Sequence, residues 1–426
     1  MVTLILGGLF LALLPFNIPI AFAMATASIV AVLYRGDIPL TLITHRMVYG
    51  TDSFVMLAVP LFILAGSLMD VGGISFRLLK MARALVGHFR GGLPMAVVVS
   101  EMLFSGISGS TVADVSALAS MDIPAMRRAG YSGEYAVSIV AAASAMGILI
   151  PPCIVMVVFG AIANVSVTAL FMAGFLPAFV LAGLLFVFIH WQARRTGQPR
   201  DRRATWREVG GAVADAGIAL GMPVIIFGGI LGGAFTPTEA AAVAVLYAFI
   251  VGVFVYREIS WADLWRLLVE SCATTGVVML LIGFSNIYSY LLAIEKIPDR
   301  VAGLILAVSA SPWFLLLAVS ALVLFLSIVI EALPAGVICV PIFLPLVDKL
   351  GVDRLHFLIL VVAAGGIGMF VPPSGVGLIV GCSVARVEMA RVVRPLPPFL
   401  AVLGVGLLVL ITFPSITTVV PHLVRR

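Results

Sequence analysis

Apolar segments of membrane-crossing length occupy most of this chain of 426 residues. A helix that spans the hydrocarbon core needs about 20 apolar residues, and lipid offers the backbone no hydrogen-bond partner, which favours helices. The sequence therefore predicts an all-α polytopic membrane protein. Its apolar segments lie at 2–34, 53–69, 91–104, 135–160, 167–190, 209–234, 238–256, 268–293, 301–330, 332–347, 356–384 and 396–420.

The composition agrees with this class and excludes others. Hydrophobic residues make up 62% of the chain and charged residues 11%, with a mean hydropathy of +1.22, whereas soluble domains carry about 25% charged residues. The 25 basic residues exceed the 20 acidic ones only slightly, as topology signals would leave them, so no nucleic acid partner is predicted. The chain begins "MVTLILGG" with no basic region before the apolar run, which predicts a retained first span rather than a cleaved signal.

No arrangement of residues typical of enzymes or of bound cofactors is present. The four cysteines stand singly in apolar segments and the five histidines are scattered, so the cysteines are predicted to be buried packing residues. The sequence has neither a Walker-type phosphate-binding motif nor the H-E-x-x-H motif of zinc proteases. It therefore predicts no enzyme and no cofactor. The cysteines are Cys153, Cys272, Cys339 and Cys382.

The chain also resembles itself at an offset of about 221 residues. "AAASAMGILIPP" (141–152) matches "AAGGIGMFVPP" (363–373), and "ILGGL" (5–9) matches "IFGGI" (226–230). Such self-similarity predicts structural repeats, here over 1–190 and 222–426. The segment between them, 191–221, begins with an arginine-rich stretch and is predicted to be a basic cytoplasmic linker.

Charge distribution predicts that the two repeats have opposite orientations in the bilayer. Segment 77–90 carries four basic residues, whereas its counterpart 298–311 carries only Arg300. Conversely, 163–169 carries no charge, whereas 386–394 carries three arginines. Since cytoplasmic loops are enriched in basic residues, equivalent loops are predicted to face opposite sides. Inverted repeats of this kind are typical of secondary transporters, whose substrate sites lie near the bilayer midplane.

The stretch "FSGISGSTVAD" (104–114) is unusually polar for so apolar a chain. Its flanking segments are too short to span a bilayer, so we predict a re-entrant hairpin over about 91–126 that turns at 105–110. Glycines permit the turn, and hydroxyl and carbonyl oxygens suit a small hard cation such as Na⁺. The alternative is that the serines only cap half-helices. The candidate ligands are Ser105, Gly106, Ser108, Gly109, Ser110, Thr111 and Asp114.

A second hairpin is predicted over about 312–348, at the equivalent place in the second repeat. Glu331 occupies the position that Ser110 has in the first hairpin, and a carboxylate at membrane depth is a functional candidate by default. The tip sequence "EALP" also includes Ala332 and Pro334. Glu239 has a simpler explanation, because a threonine cap followed by Glu in "TPTEAA" is an ordinary helix start.

Doubled prolines interrupt one apolar segment in each repeat. Two successive prolines remove two backbone donors and clash with the preceding turn, so helices are predicted to break within about 135–160 and 356–384. Half-helix N-termini at such breaks favour an anionic group, and the freed carbonyls favour a cation. The predicted ion and substrate residues here are Gly147, Pro151, Pro152, Gly368, Pro372, Pro373 and Ser374.

At these residues the chain resembles the large membrane subunit (M subunit, DctM-like) of tripartite ATP-independent periplasmic (TRAP) transporters. The similarity covers essentially the whole chain and is most specific in "SGISGSTVAD", "MDIPAMRRAGYSGEYA", "TPTEAAAVAVLYA" and "GMFVPPSGVGL". It implies sodium-driven uptake of organic acids, commonly carboxylates, across the bacterial inner membrane. It further implies a periplasmic solute-binding protein, a small four-helix membrane subunit, and an elevator movement of the hairpins and broken helices along a scaffold.

The sequence departs from the family pattern at three places. Cys153 stands where serine usually follows the first Pro-Pro, and Val371 where threonine usually precedes the second. At the second hairpin tip "EALP" stands where an aspartate and a threonine are common. Each change removes or moves an oxygen ligand, which leaves the number of sodium ions per cycle open.

Other kinds of protein are possible alternatives to this prediction. The first alternative is a different transport protein: either a stand-alone ion-coupled anion transporter of related architecture, which needs no binding protein, or an ion channel with re-entrant loops. A channel would normally be a symmetric oligomer, whereas this chain carries two unequal hairpins. The second is a membrane enzyme, for which no nucleophile and base are arranged in the sequence. Neighbouring genes for a small membrane subunit and a secreted binding protein would favour the tripartite transporter.

Overall fold

A computed structural model of the protein describes residues 1–16, 18–108, 111–196, 198 and 205–424, and all regular structure in these ranges is helical. In chain order the helices are Val2–Phe16, Ile20–Arg35, Thr41–Thr51, Phe54–Val71, Ile74–Val86, Gly92–Ser108, Thr111–Arg128, Gly133–Gly147, Ile154–Ile162, Val167–Thr196, Trp206–Leu231, Pro237–Val255, Trp261–Ile294, Ile297–Val308, Pro312–Val329, Ala332–Lys349, Arg354–Gly368, Val376–Ala385, Met389–Val392, Pro397–Thr412 and Ser415–Val424.

The lengths and composition of these helices confirm the predicted multi-pass membrane protein. Within the described part of the chain, 7 helices are long and apolar enough to cross a membrane, or up to 8 if a helix pair bent by 60° near the C-terminus forms one span. Many large apolar side chains lie exposed on their outer faces, such as Val224 and Phe325. Lipid is the solvent in which such a surface is stable.

Side-chain caps explain where several helices begin. The side chains of Thr205, Thr236 and Ser260 each accept a hydrogen bond from the backbone N–H three residues on. In each case the acidic side chain of that later residue accepts a hydrogen bond from the backbone N–H of the cap residue. These capping boxes satisfy donors that a helix N-terminus leaves unpaired. The box of Thr236 and Glu239 confirms the prediction that a threonine caps this helix and that Glu239 lies in its first turn. The capping box at Thr205 precedes the helix Trp206–Leu231, which begins inside the segment 191–221 that was predicted as a linker.

The same order of elements occurs in both halves of the chain. An arm helix, Ile74–Val86 or Ile297–Val308, precedes two helices that pack against each other across a short break. We call these pairs the first hairpin (Gly92–Ser108 with Thr111–Arg128) and the second hairpin (Pro312–Val329 with Ala332–Lys349). The sequence segment 301–330 thus contains an arm and half a hairpin, because Ser309 is extended and Pro312 starts a new helix.

A helix broken at a Pro-Pro pair follows each hairpin. The first broken helix consists of Gly133–Gly147 and Ile154–Ile162, and the second of Arg354–Gly368 and Val376–Ala385. The breaks lie where the doubled prolines predict them. The first halves of the two broken helices pack against each other, and nearly every residue in them is buried. The first break therefore lies inside the protein, whereas the second reaches its surface at Pro373, which is exposed.

A buried ion pair fastens the first arm to the first hairpin. Arg83 Nη2 lies 2.5 Å from Asp122 Oδ1, and Asp122 is fully buried. The same nitrogen donates to the Met121 carbonyl oxygen. Breaking such a pair leaves a buried charge without its partner, which typically costs 3–5 kcal/mol. By contrast, the exposed pair of Lys80 with Asp215 on the same arm contributes about 0–1 kcal/mol.

Replacement of Arg83 by alanine is therefore expected to destabilise the protein strongly. We expect the unfolding free energy of Arg83→Ala to fall by about 3–5 kcal/mol, and that of Lys80→Ala to change by less than about 1 kcal/mol. Thermal unfolding of the purified variants, followed by fluorescence, measures the difference in midpoint. Equal midpoints for the two variants would contradict a structural role for the Arg83–Asp122 pair.

Candidate functional site

A cavity of about 240 Å³ lies where the hairpins and the broken helices meet. Residues from both hairpins and both breaks line it, together with two long helices, Phe54–Val71 and Trp261–Ile294. We take this cavity as the candidate site because both hairpins and both broken helices contribute residues to its wall. Its lining residues are Ile63, Gly66, Ser67, Asp70, Thr111, Val112, Ala113, Ile148, Ile154, Val155, Thr274, Val278, Glu331, Ala332, Leu333 and Met369.

Three helix N-termini border the cavity. Thr111 begins the second helix of the first hairpin, Ile154 the second half of the first broken helix, and Ala332 the second helix of the second hairpin. All three residues line the cavity. A helix N-terminus carries unpaired N–H groups and a partial positive charge, so it favours an anionic ligand. The N-termini at this cavity can therefore hold an acidic substrate group without a basic side chain.

The C-terminal ends of two helices lie at the same cavity. Ile148 follows Gly147, the last residue of the first half of its broken helix, and Met369 follows Gly368 in the second broken helix. Both Ile148 and Met369 line the cavity. The last carbonyl groups of a helix carry a partial negative charge. The site thus offers groups suited to cations beside groups suited to anions.

The polar side chains in the lining are hydroxyls and carboxylates. Ser67 donates a hydrogen bond to the Ile63 carbonyl, and Asp70 accepts one from Ser75 Oγ at 2.9 Å. Glu331 is the N-cap residue of its helix but makes no side-chain cap bond, and it is exposed to the cavity. None of the described lining residues is Lys, Arg or His. The side-chain charge of the cavity wall is therefore negative.

The structure brings some of the predicted site residues to the cavity and places others behind its wall. Thr111, Glu331 and Ala332 line the cavity. Ser374 donates a hydrogen bond to the Ile328 carbonyl and so ties the second break to the second hairpin. Pro372 is half-buried and Pro373 is exposed at the second break. The remainder of the predicted set is buried around the hairpins and breaks: Ser105, Asp114, Gly147, Pro151, Pro152, Pro334 and Gly368.

The first helix of the first hairpin is longer than the sequence predicts. It continues through Ser105 and Gly106 to Ser108, so the predicted turn at 105–110 begins too early. The preceding turns are buried against the first broken helix, and this packing outweighs the weak helix propensity of serine and glycine. Gly109 and Ser110 lie outside the described residues. For Gly106 and Ser108 only the backbone is described.

Two buried glycines let the hairpins approach the broken helices closely. A Cβ atom on Gly147 would lie 2.1 Å from Glu101 Oε1 and 2.9 Å from Ser105 Oγ. A Cβ atom on Gly368 would lie 2.5 Å from the Leu324 carbonyl oxygen. Neither glycine has a backbone angle that requires glycine. Glycine is needed at these positions because a side chain would collide with the neighbouring helix.

Four polar residues in or near the cavity wall were not predicted from the sequence. Ser67, Asp70 and Thr274 belong to the two long helices of the cavity wall, and no motif marked them. Glu101 lies in the first hairpin and is fully buried against Gly147. The rule that selected Glu331, a carboxylate within an apolar segment, applies equally to Glu101 and would have found it.

The cysteine prediction holds at three of four positions. Cys153, Cys339 and Cys382 are buried, whereas Cys272 is exposed. Cys272 lies on Trp261–Ile294, a helix with a large exposed apolar face. Membrane-facing positions are apolar without being buried in protein, which is why hydropathy alone misplaces Cys272.

A larger, more polar cavity of about 500 Å³ lies further along the helix Trp261–Ile294. Its wall includes Arg46, Asn164, Asn286 and Tyr290. The Arg46 guanidinium carbon lies 3.9 Å from the centre of the Tyr290 ring, which is cation–π geometry. Both cavities lie beside the helices Phe54–Val71 and Trp261–Ile294, so they share two walls.

Multiple apolar spans around a cavity bounded by helix breaks define a membrane transporter of the secondary class. The fold agrees, since the Alcanivorax borkumensis YdaH transporter aligns with a TM-score of 0.65 at 15% identity, over 87% of this chain and 88% of that one. Residues 7–416 match the family "Tripartite ATP-independent periplasmic transporter, DctM component". The chain belongs to this family and is a TRAP large permease, not an enzyme.

Two relatives illustrate the family. The 2,3-diketo-L-gulonate TRAP transporter large permease protein YiaN of Escherichia coli is 34% identical over 98% of this chain and 98% of its own length. The isethionate TRAP transporter permease protein DctMQ of Oleidesulfovibrio alaskensis is 37% identical over 97% of this chain, which spans 65% of that longer protein. Both names denote permeases for organic acids.

Proposed function

We propose that this permease couples the entry of sodium ions to the uptake of a small organic acid across the bacterial inner membrane. The observation that carries the proposal is the cavity at the helix breaks, where helix N-termini and carboxylates face the same space. The substrate is of the carboxylate class, like the diketogulonate named for one relative. The helix N-termini hold its acidic group.

The charge of the cavity supports coupling to a cation. An organic acid enters as an anion, and two side chains of the wall, Asp70 and Glu331, are carboxylates. Bringing an anion close to carboxylates in a medium of low dielectric constant is unfavourable. Cations bound beside the carboxylates offset this repulsion, so anion binding becomes favourable only when the cations are present. This dependence is the physical basis of symport.

The residues present fit sodium. Hard cations take oxygen ligands, and the wall supplies the carboxylates of Asp70 and Glu331 and the hydroxyls of Ser67, Thr111 and Thr274. Carbonyl groups at the ends of the interrupted helices add further oxygens. When bound, sodium supplies positive charge. The chain's own residues position the ion, orient the acid toward the helix N-termini and exclude water.

The movement that we propose is an elevator. The hairpins and broken helices form the moving unit, and the arms Ile74–Val86 and Ile297–Val308 connect it to the scaffold. The repeated element order and the reversed charge bias of the arms favour repeats of inverted topology. The Arg83–Asp122 pair would make the first arm and the first hairpin move as one body.

We also propose two protein partners. A periplasmic solute-binding protein delivers the acid, as the family name "periplasmic transporter" suggests. A small membrane subunit packs against the large one, and the longer relative named DctMQ supports this partner. Uptake that proceeds at the full rate without a binding protein would instead favour a stand-alone ion-coupled anion transporter.

Neutralising either carboxylate of the cavity is expected to weaken sodium coupling. Because a carboxylate ligand contributes more than a neutral one, Asp70→Asn and Glu331→Gln should each raise the sodium concentration for half-maximal uptake about tenfold. Uptake is measured in proteoliposomes that contain both membrane subunits and the binding protein. Glu388→Gln is the matched control, since Glu388 is exposed and is not among the residues that line the cavity.

Two results of this experiment would count against the proposed site. Unchanged sodium dependence in both cavity variants would remove Asp70 and Glu331 from ion binding. An equal loss in Glu388→Gln would show that the effect reflects general surface charge rather than the cavity.

A further inference from the structure

The first hairpin contains a buried carboxylate that the cavity itself does not include. Glu101 lies in the middle of Gly92–Ser108 and its exposed fraction is 0%. Neither of its carboxylate oxygens has a hydrogen-bond partner among the described residues. A carboxylate in such a place is strongly unfavourable unless a proton, a basic side chain or a cation neutralises it.

Oxygen atoms from two further elements lie around this carboxylate. Glu101 Oε1 and Ser105 Oγ both lie within 2.9 Å of the point where a Cβ atom on Gly147 would stand. Ser144, one turn earlier on the first broken helix, is close enough for its hydroxyl to act on the carboxylate. That hydroxyl also lacks a partner of hydrogen-bond geometry in the described structure. Glu101 and Ser105 thus meet at the glycine that ends the half-helix, and Ser144 acts on the same carboxylate from one turn earlier.

The charged groups near Glu101 increase the need for a cation. The groups that act on it electrostatically are the carboxylates of Asp114 and Asp122. Asp122 is already neutralised by Arg83. Asp114 is itself buried, with 1% of its surface exposed. Repulsion between Glu101 and Asp114 disfavours two charged groups unless positive charge lies near them.

We infer that Glu101, together with the hydroxyl groups of Ser105 and Ser144, binds a sodium ion on the inner side of the first hairpin. A hard cation takes oxygen ligands of these kinds, and it would neutralise a buried carboxylate that has no hydrogen-bond partner among the described residues. The missing side chain at Gly147 lets the carboxylate reach this position. The inference rests on the proposed sodium coupling and adds to it a site behind the cavity wall.

This position connects the ion to the substrate cavity. Gly147 touches Glu101, and the next residue, Ile148, lines the cavity. Thr111, at the start of the other helix of the same hairpin, also lines it. An ion bound between hairpin and half-helix would therefore hold together two elements that form the cavity wall. Ser105 and Gly147, predicted from sequence as ion-site candidates, meet here through Glu101.

The test measures ion binding through stability rather than transport. The purified protein is heated in increasing NaCl, with choline chloride keeping the ionic strength constant, and the unfolding midpoint is recorded. Sodium should raise the midpoint of the wild type, because a ligand that binds only the folded state stabilises it. In Glu101→Gln the half-effective sodium concentration should rise at least about tenfold. In Ser144→Ala, which keeps the carboxylate, it should rise about threefold.

The control is Glu134→Gln, at the start of the same half-helix, and its sodium response should match the wild type. If Glu101→Gln does not fold, Ser144→Ala carries the test alone. A wild-type response that persists unchanged in the folded variants overturns the Glu101 site and leaves sodium coupling intact. A wild type that does not respond to sodium contradicts the proposed coupling itself, and the site with it.

Discussion

Uptake by the reconstituted transporter is expected to fall at least about 100-fold when choline replaces sodium on both sides of the membrane. The anionic substrate would then meet the carboxylates of Asp70 and Glu331 without compensating charge. About 2.7 kcal/mol of lost stabilisation corresponds to this factor. The measurement is accumulation of the radiolabelled acid in proteoliposomes that contain both membrane subunits and the binding protein. Adding ATP should change nothing, since the sequence has no phosphate-binding motif.

A series of monovalent cations of different size is the control for this experiment. Lithium should support partial uptake and potassium little, because a site of fixed oxygen ligands discriminates by ion size. Uptake that continues without sodium and follows a proton gradient would contradict sodium coupling. It would leave the cavity as the site of the acid, since the helix N-termini at Thr111 and Ala332 do not depend on the ion.

The sequence predicts the framework of this molecule because its strongest signals are local. Apolar length marks most of the membrane-spanning helices, and two doubled prolines locate both helix breaks without any knowledge of packing. The capping box at Thr236 and Glu239 is likewise a signal within four residues. The end of the first helix of the first hairpin was predicted too early, because continuation of this helix through Ser105 depends on burial against another helix.

The candidate site is only partly predictable for the same reason. Glu331 and Thr111 stand beside helix breaks and can be selected by position. Asp70 and Thr274 reach the cavity from uninterrupted helices, and nothing within their own segments indicates which neighbours they face. Glu101 illustrates a third case, since its type and its apolar setting were visible, but its contact with Gly147 depends on the fold.

The structure indicates a physical consequence of one departure from the family pattern, the cysteine at position 153. Cys153 is the N-cap residue of Ile154–Ile162, is buried, and makes no side-chain cap bond. A serine there would supply an oxygen at the break, whereas a thiol is a weak ligand for a hard cation. The carboxylate of Glu101 lies on the other side of the same break, next to Gly147. On our proposal, this carboxylate takes over part of the ion binding that an oxygen at position 153 would provide.

Alanine at Gly368 is expected to abolish transport and to lower stability. The added Cβ atom would lie 2.5 Å from the Leu324 carbonyl oxygen and 2.6 Å from Ser327 Cβ. A backbone carbonyl group in a helix cannot change its conformation as the end of a flexible side chain can. The second broken helix must therefore move away from the second hairpin. Overpacking of this kind costs about 1–3 kcal/mol. Because Met369, the next residue, lines the cavity, we also expect uptake to fall at least about tenfold.

The matched control is Gly183→Ala, in the middle of Val167–Thr196, where a Cβ atom would meet no atom within 4 Å. Alanine is the better helix former by about 1 kcal/mol, so this variant should keep full uptake and a midpoint at or above that of the wild type. The two variants carry the same chemical change in helices of one protein, so their difference isolates the close approach at Gly368. Normal uptake in Gly368→Ala would show that the break and the hairpin separate without loss of function. The contact between them would then not be part of the transport site.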